Sequence, residues 1–175
     1  RTRQVLLNIT VRLRERLVPR GPRCVRLGAS LVDASAVEAL RGACVGPTLL
    51  LTEGVLVYLS EPEVRALLAR LRGAFPGASL VLDTMTLPVV RAQAMHDAMR
   101  HFEARFTWGL RDHDEVLGYA PDLTREEAAS FYDLLYAHAP RLPRWMRLAG
   151  PPLRRAWPGV RWCYAIQRLR LGPAG

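Results

Sequence analysis

The segment from residue 47 to residue 83 leaves this chain little choice of fold. Pro47-Thr48-Leu49-Leu50-Leu51-Thr52 is an apolar run of strand length bounded by Gly46 and Gly54. A run without in–out alternation is the mark of a parallel strand buried on both faces. Ser79-Leu80-Val81-Leu82-Asp83 repeats the pattern and ends in a carboxylate. Between the two lies Ser60-Glu61-Pro62-Glu63, a capping box with Ser60 as N-cap, Glu63 as its reciprocal partner and proline in the tolerant first turn. Val64, Leu67, Leu68 and Leu71 give the helix that follows a buried stripe, Arg65, Arg70 and Arg72 a wet face, and the stretch from Gly73 to Gly77 an exit. Strand, helix and strand at this spacing predict a right-handed βαβ unit in a parallel sheet. Ligands of such sheets bind at the strand C-terminal ends, where Glu53 and Asp83 sit.

The flanks extend the pattern. Val5, Ile9, Leu13 and Leu17 recur at helical spacing, predicting an amphipathic helix over 4–17. Cys24-Val25-Arg26-Leu27 reads as a short strand, with Asp33 as N-cap of a helix running to Arg41 and closed by Gly42. Residues 88–105 read as helical, and Thr124-Arg125-Glu126-Glu127 reads as a second capping box opening a helix to Ala137. Pro140, Pro143, Pro151 and Pro152 then break the chain, and Val160 to Leu171 reads as a final strand. With no repeat and no linker, residues 1–175 form a single α/β domain in this reading.

Composition excludes several classes. Half of the residues are hydrophobic and 23% are charged, which excludes global disorder. No apolar run approaches the roughly 20 residues of a bilayer span, and the start Arg-Thr-Arg has no secretory character. Cys24, Cys44 and Cys163 are odd in number and widely spaced, so no metal site is expected and a reduced, cytoplasmic setting fits. All basic residues are arginine, a pattern of GC-rich bacterial genomes. The net charge of +9 is concentrated at the ends: residues 1–26 hold eight arginines and one acid, and residues 134–175 hold eight arginines and no acid. These arginines interleave with Leu, Val, Pro and Trp rather than with glycine loops, so specific nucleic acid is not expected as a partner, and without a bilayer-length run no membrane is expected either.

GxxxxGK, GxGxxG, HExxH and GxSxG are all absent, which argues against most nucleotide hydrolases, zinc proteases and serine hydrolases. Asp97 and His101 have helical i,i+4 spacing and make either a general-base pair or an ordinary surface pair. Glu53 and Gly54, followed by Tyr58, close the strongest strand. A carboxylate there can offset a cationic ligand while glycine permits close backbone approach; equally, Glu53 can cap a turn or pair with an arginine.

The stretch Pro47-Thr-Leu-Leu-Leu-Thr-Glu53-Gly54-Val-Leu-Val-Tyr58-Leu59, followed by Phe75-Pro76-Gly77, Leu82-Asp83, Phe106-Thr-Trp108-Gly109 and Tyr164 to Gly172, resembles the leucine carboxyl methyltransferase-like group of S-adenosylmethionine-dependent methyltransferases, in particular bacterial O-methyltransferases of polyketide biosynthesis. The resemblance covers residue 11 to the end. It implies a class I, Rossmann-like sheet of order 3-2-1-4-5-7-6 with helices on both faces. Residues 23–28 would be its third strand and 48–53 its fourth. Strands 1 and 2, with the glycine-rich cofactor loop, would lie upstream, making the fold N-terminally truncated. The resemblance also implies S-adenosylmethionine as cofactor, with Glu53, Gly54 and Tyr58 beside its methionine end and Ser30 and Leu31 in the adenine-contacting loop. The group usually has an acid at the position of Ser30 and an aspartate at that of Leu6.

The expected reaction is methyl transfer to a carboxylate or hydroxyl oxygen of a small molecule, with Asp97, His101 and His113 as candidate acceptor-side residues. Met85, Met95, Met99, Phe106, Trp108, Tyr119, Tyr132 and Trp145 supply either an apolar acceptor pocket or ordinary core. The alternative reading is a catalytically silent remnant acting as an interaction module; an exposed sheet edge would offer a homodimer contact in either case.

Overall fold

The computed structural model describes residues 4–7, 15–19, 21, 24–93 and 104–173, and within them the βαβ unit forms as its sequence predicts. Strand β3 (Leu49–Thr52) leads through a 3-10 turn at Leu56–Tyr58 into the helix Glu61–Ala74, and this returns as β4 (Ser79–Met85), parallel to β3 with Leu50 opposite Leu80. The Glu63 carboxylate accepts hydrogen bonds from both the backbone N–H and the hydroxyl of Ser60, each at 2.7 Å, which fixes where the helix starts. These bonds hold the Glu63 carboxyl below its usual range.

Upstream of this unit lie β1 (Gln4–Leu7), β2 (Cys24–Leu27) and helix α1 (Ala34–Ala43), so the helix after β3 is α2. Downstream lie the short helix α3 (Leu87–Arg91), β5 (Thr124–Ser130), α4 (Phe131–Ala137), α5 (Arg144–Ala156) and β6 (Tyr164–Arg170). β1 and β2 form a parallel pair, and the remaining strands form a sheet of order β3-β4-β6-β5 in which β6 is antiparallel to both neighbours. That is the 4-5-7-6 half of the order implied by the resemblance.

Val64, Leu67, Leu68 and Leu71 of α2 pack on Leu50, Leu80, Leu82 and Leu169, all on one face of this sheet. Trp108, Leu110, Val116 and Tyr119 close the same core, and Val37 of α1 joins it. The burial of this apolar surface, at about 25 cal/mol per Å², is the main stabilising term of the domain.

The structure corrects expectations in four regions. Residues 4–7 are a strand, not the start of a helix: their apolar run suits either element, and pairing along β2 decides. Residues 15–17 are helical, and 8–14 lie outside the described residues. The pairing also means that a strand parallel to β2 lies within the chain, where the resemblance implied that strands 1 and 2 both lay upstream.

Second, β3 is not buried on both faces. Leu50 faces α2, whereas Leu49 and Leu51, on the opposite face, are 65% and 66% exposed. Among the described residues β3 pairs with β4 alone, so its other edge is open.

Third, Thr124–Ser130 is a strand rather than the first turns of a helix. Glu126 bridges Arg168 and Arg170 of β6 across the ladder, and these cross-strand pairs outweigh local helix signals. The true N-cap is Ser130, whose hydroxyl oxygen accepts the Asp133 N–H at 3.2 Å to open α4.

Fourth, of the segment expected as helix over 88–105, residues 88–91 belong to the helix Leu87–Arg91, residues 104–105 are irregular, and 94–103 lie outside the described residues. The final strand starts at Tyr164, after a 3-10 turn at Pro158–Trp162, and Pro151 and Pro152 lie inside α5 rather than breaking it. Gly42 falls within α1 instead of closing it.

Candidate functional site

The C-terminal ends of β3 and β4 are joined through one buried carboxylate. Asp83, 7% exposed, accepts the Gly54 N–H at 3.1 Å on one oxygen and the Tyr164 hydroxyl at 3.0 Å on the other. Gly54 has φ +61, a conformation that disfavours a side chain, so glycine at this position is required by the turn. The Tyr164 hydroxyl is pushed well above its ordinary range, first by burial, then by the negative charge and hydrogen bond of Asp83.

Glu53, between the strand end and that turn, is exposed and makes no hydrogen bond or ion pair among the described residues. The preceding Thr52 carries a buried hydroxyl that is also without a hydrogen-bond partner. A carboxylate facing solvent, a fixed glycine backbone and an orphaned hydroxyl thus cluster at one strand end. This is a donor and acceptor set suited to a polar, cationic ligand.

Tyr58 sits in the following turn, exposed, with its ring 5.4 Å from that of Phe106. The Val57 carbonyl accepts the N–H groups of Thr107 and Trp108, and the Thr107 hydroxyl donates to the Leu59 carbonyl at 2.7 Å. Residues 55–59 and 106–108 are therefore joined into one wall. Behind it the Trp108 indole donates to the Tyr119 hydroxyl at 3.2 Å, and Arg65 lies over the Tyr119 ring at 3.8 Å. Trp108 and Tyr119 belong to the buried core rather than to an open pocket.

Ser30 and Leu31 occupy the loop at the C-terminal end of β2. The Ser30 carbonyl accepts the Asp33 N–H, and Arg70 of α2 donates to the Val32 carbonyl at 2.7 Å, which ties this loop to the central unit. Leu31 packs against the core cluster.

His113 lies on the other face of β4, because Thr84 and Asp83 alternate. Its Nε2 is 2.5 Å from the Trp162 carbonyl, which can only accept, so Nε2 carries the proton. In the neutral ring Nδ1 then accepts the Thr84 hydroxyl at 2.8 Å, while the Gln167 amide donates to that hydroxyl oxygen at 3.0 Å. The imidazole clamps the Pro158–Trp162 turn to β4, with both nitrogens engaged. Asp97 and His101 lie outside the described residues.

The sequence reading placed Asp83 at the strand mouth without a role and missed Tyr164 as its partner. An aspartate ending a buried apolar strand signalled the first; nothing local signals the second, which arrives from 81 residues away. A separate cavity of about 590 Å³, lined by Arg41, Thr48, Phe75, Ser79 and Arg170 among others, opens where β3 and β4 begin, at the end opposite Glu53.

This architecture recurs in known structures. A DUF574 family protein from Streptomyces avermitilis superimposes with a TM-score of 0.61 at 16% identity, over 98% of this chain and 65% of its own. A proposed methyltransferase from Thermobifida fusca gives 0.62 at 18% identity, over 98% and 64%. The chain has a class I methyltransferase fold. Human N-acetylserotonin methyltransferase, solved in complex with S-adenosylmethionine, shares it at a TM-score of 0.53 and 11% identity, over 97% of this chain and 41% of that protein. The chain thus spans just under two thirds of the first two neighbours. No family model matches it, and no curated protein matches it in sequence.

Proposed function

We propose that this chain is an S-adenosylmethionine-dependent O-methyltransferase of the leucine carboxyl methyltransferase-like group, acting in the bacterial cytoplasm on a carboxylate or hydroxyl oxygen of a small, polyketide-type molecule. The observation that carries the reading is Glu53: an exposed carboxylate that makes no hydrogen bond or ion pair among the described residues, beside a fixed Gly54 backbone, at the C-terminal end of a parallel strand in a methyltransferase-ordered sheet.

The residues present fit the cofactor. Glu53 would face its cationic end, Gly54 would allow close backbone approach, and the orphaned Thr52 hydroxyl adds a polar partner at the same strand end. Tyr58 with Phe106 would shield the methionine side from water, and Ser30 with Leu31 would meet the adenine. When bound, S-adenosylmethionine supplies an electrophilic methyl group, whose bond to sulfur breaks as the acceptor oxygen forms its bond to carbon.

What the chain itself does is align and exclude. Asp83 holds the Gly54 turn against β4, so the carboxylate of Glu53 is presented from a fixed backbone. A carboxylate acceptor needs no base. For a hydroxyl acceptor Asp97, His101 or His113 would take the proton, and His113 would first have to release Thr84. The open edge of β3 is the proposed contact of a homodimer.

The test is ligand-observed NMR of the 175-residue chain with S-adenosylmethionine, comparing wild type with Glu53→Gln. Weak, saturable binding in the millimolar range is expected, because the sequence lacks the glycine-rich cofactor loop of the group it resembles and carries Leu6 and Ser30 where that group has acids. Glu53→Gln should weaken it by about 1 to 3 kcal/mol, the value of a hydrogen bond to a charged group. Binding unaffected by the amide, or no binding at all, would remove Glu53 from the site.

A further inference from the structure

α5 is an amphipathic helix whose apolar side no described residue covers. At about 3.6 residues per turn, Arg144, Arg147, Arg154 and Arg155 fall along one side, while Trp145, Leu148 and Pro152 fall beside them on the next. Trp145 is 69% exposed and Leu148 77% exposed, and Leu153 and Trp157 are also exposed. Only Gly150 is buried, where α5 meets the Tyr136 side chain of α4. The Tyr136 hydroxyl donates to the Met146 carbonyl at 2.7 Å, so the helix is anchored along a narrow seam and presents the rest of its circumference outward.

The chain around this helix carries charge of one sign. No acid occurs from residue 134 to 175, and the nearest, Asp133, is paired with Arg161. Arg144, Arg147, Arg154 and Arg155 form no ion pair among the described residues. A helix with exposed tryptophan and leucine on one side, flanked by arginines whose stems can lie along apolar surface while their heads stay wet, matches a phosphate-bearing apolar boundary.

We propose that α5 docks this protein on the surface of an anionic lipid bilayer, Trp145 and Leu148 entering the headgroup–acyl boundary and the four arginines engaging lipid phosphates. No helix among the described residues is long and apolar enough to cross a membrane, so the contact is one of lying on the surface. The sequence reading expected no membrane partner because it could not tell that the apolar side of this helix stays uncovered. The proposal does not rest on the methyltransferase reading.

The experiment is co-sedimentation of the full 175-residue chain with phosphatidylglycerol–phosphatidylcholine vesicles, with pure phosphatidylcholine vesicles and with single-stranded RNA as parallel arms. Binding to the anionic vesicles alone is expected, weakening as salt is raised. Trp145→Ser with Leu148→Ser should lower the partition at least about tenfold, and Arg144→Gln with Arg147→Gln, Arg154→Gln and Arg155→Gln comparably, with unchanged far-ultraviolet circular dichroism because all these sites are exposed. Three results would overturn it: no partition onto anionic vesicles, partition that the Trp145/Leu148 variant retains, or RNA bound more tightly than the vesicles. Self-association without lipid that the same variant abolishes would assign the surface to a second copy instead.

Discussion

The Tyr164 hydroxyl donates to the Asp83 carboxylate at 3.0 Å, pinning the start of β6 to the end of β4. Because the other Asp83 oxygen holds the Gly54 N–H, one buried carboxylate sets the relative positions of β3, β4 and β6 at the end of the sheet where Glu53 is displayed. Asp83→Asn keeps the shape but turns one acceptor into a donor, which must then face either the Gly54 N–H or the Tyr164 hydroxyl. The expected loss of stability is about 1 to 3 kcal/mol, read from urea unfolding. A variant as stable as wild type would show that the carboxylate does not organise this strand end.

Tyr164 also sets an alkaline limit. Its hydroxyl ionises in the folded protein well above the usual 10.0, chiefly through burial and then through Asp83. Its stabilising contribution is therefore complete below the unfolded value near 10 and is lost as pH rises from there toward the folded value. Stability should fall above pH 10, and Tyr164→Phe should shallow that fall, measured by unfolding across the alkaline range. Tyrosinate absorbance should show one late-titrating group missing from the variant.

Gly150 controls whether α5 seats on α4. A Cβ there would lie 1.6 Å from the Tyr136 hydroxyl oxygen, so Gly150→Ala displaces the Tyr136 ring from its seat on α5 and breaks its bond to the Met146 carbonyl. The expected cost is about 1 to 3 kcal/mol, even though alanine favours helix. Hydrogen exchange should show the loss concentrated in α4 and α5; uniform protection would contradict the seam.

The exposed leucines of β3 give a fourth test. Leu49→Lys with Leu51→Lys replaces side chains already in solvent, so unfolding stability should change by less than about 0.5 kcal/mol. Self-association in sedimentation velocity should fall, since lysine on an open strand opposes pairing with another chain. Association that persists in this variant would move the dimer contact elsewhere.

What the sequence determined by itself was the central βαβ unit. Ser60 with Glu63 fixes a helix start through bonds spanning three residues, and the Val64, Leu67, Leu68 and Leu71 stripe fixes the buried face, because both depend on local geometry alone. Glu53 and Asp83 at strand ends were legible for the same reason. Tertiary structure decided the rest. Gln4–Leu7 and Thr124–Ser130 carry helix-compatible patterns, yet each is a strand because a neighbouring strand takes up its backbone hydrogen bonds. Tyr164 reaches Asp83 across 81 residues, and His113 is fixed by Thr84 and the Trp162 carbonyl, contacts that no local spacing encodes. Leu49, Leu51, Trp145 and Leu148 show the same division: hydropathy marks them for burial, but only the arrangement of neighbouring elements determines that they face solvent.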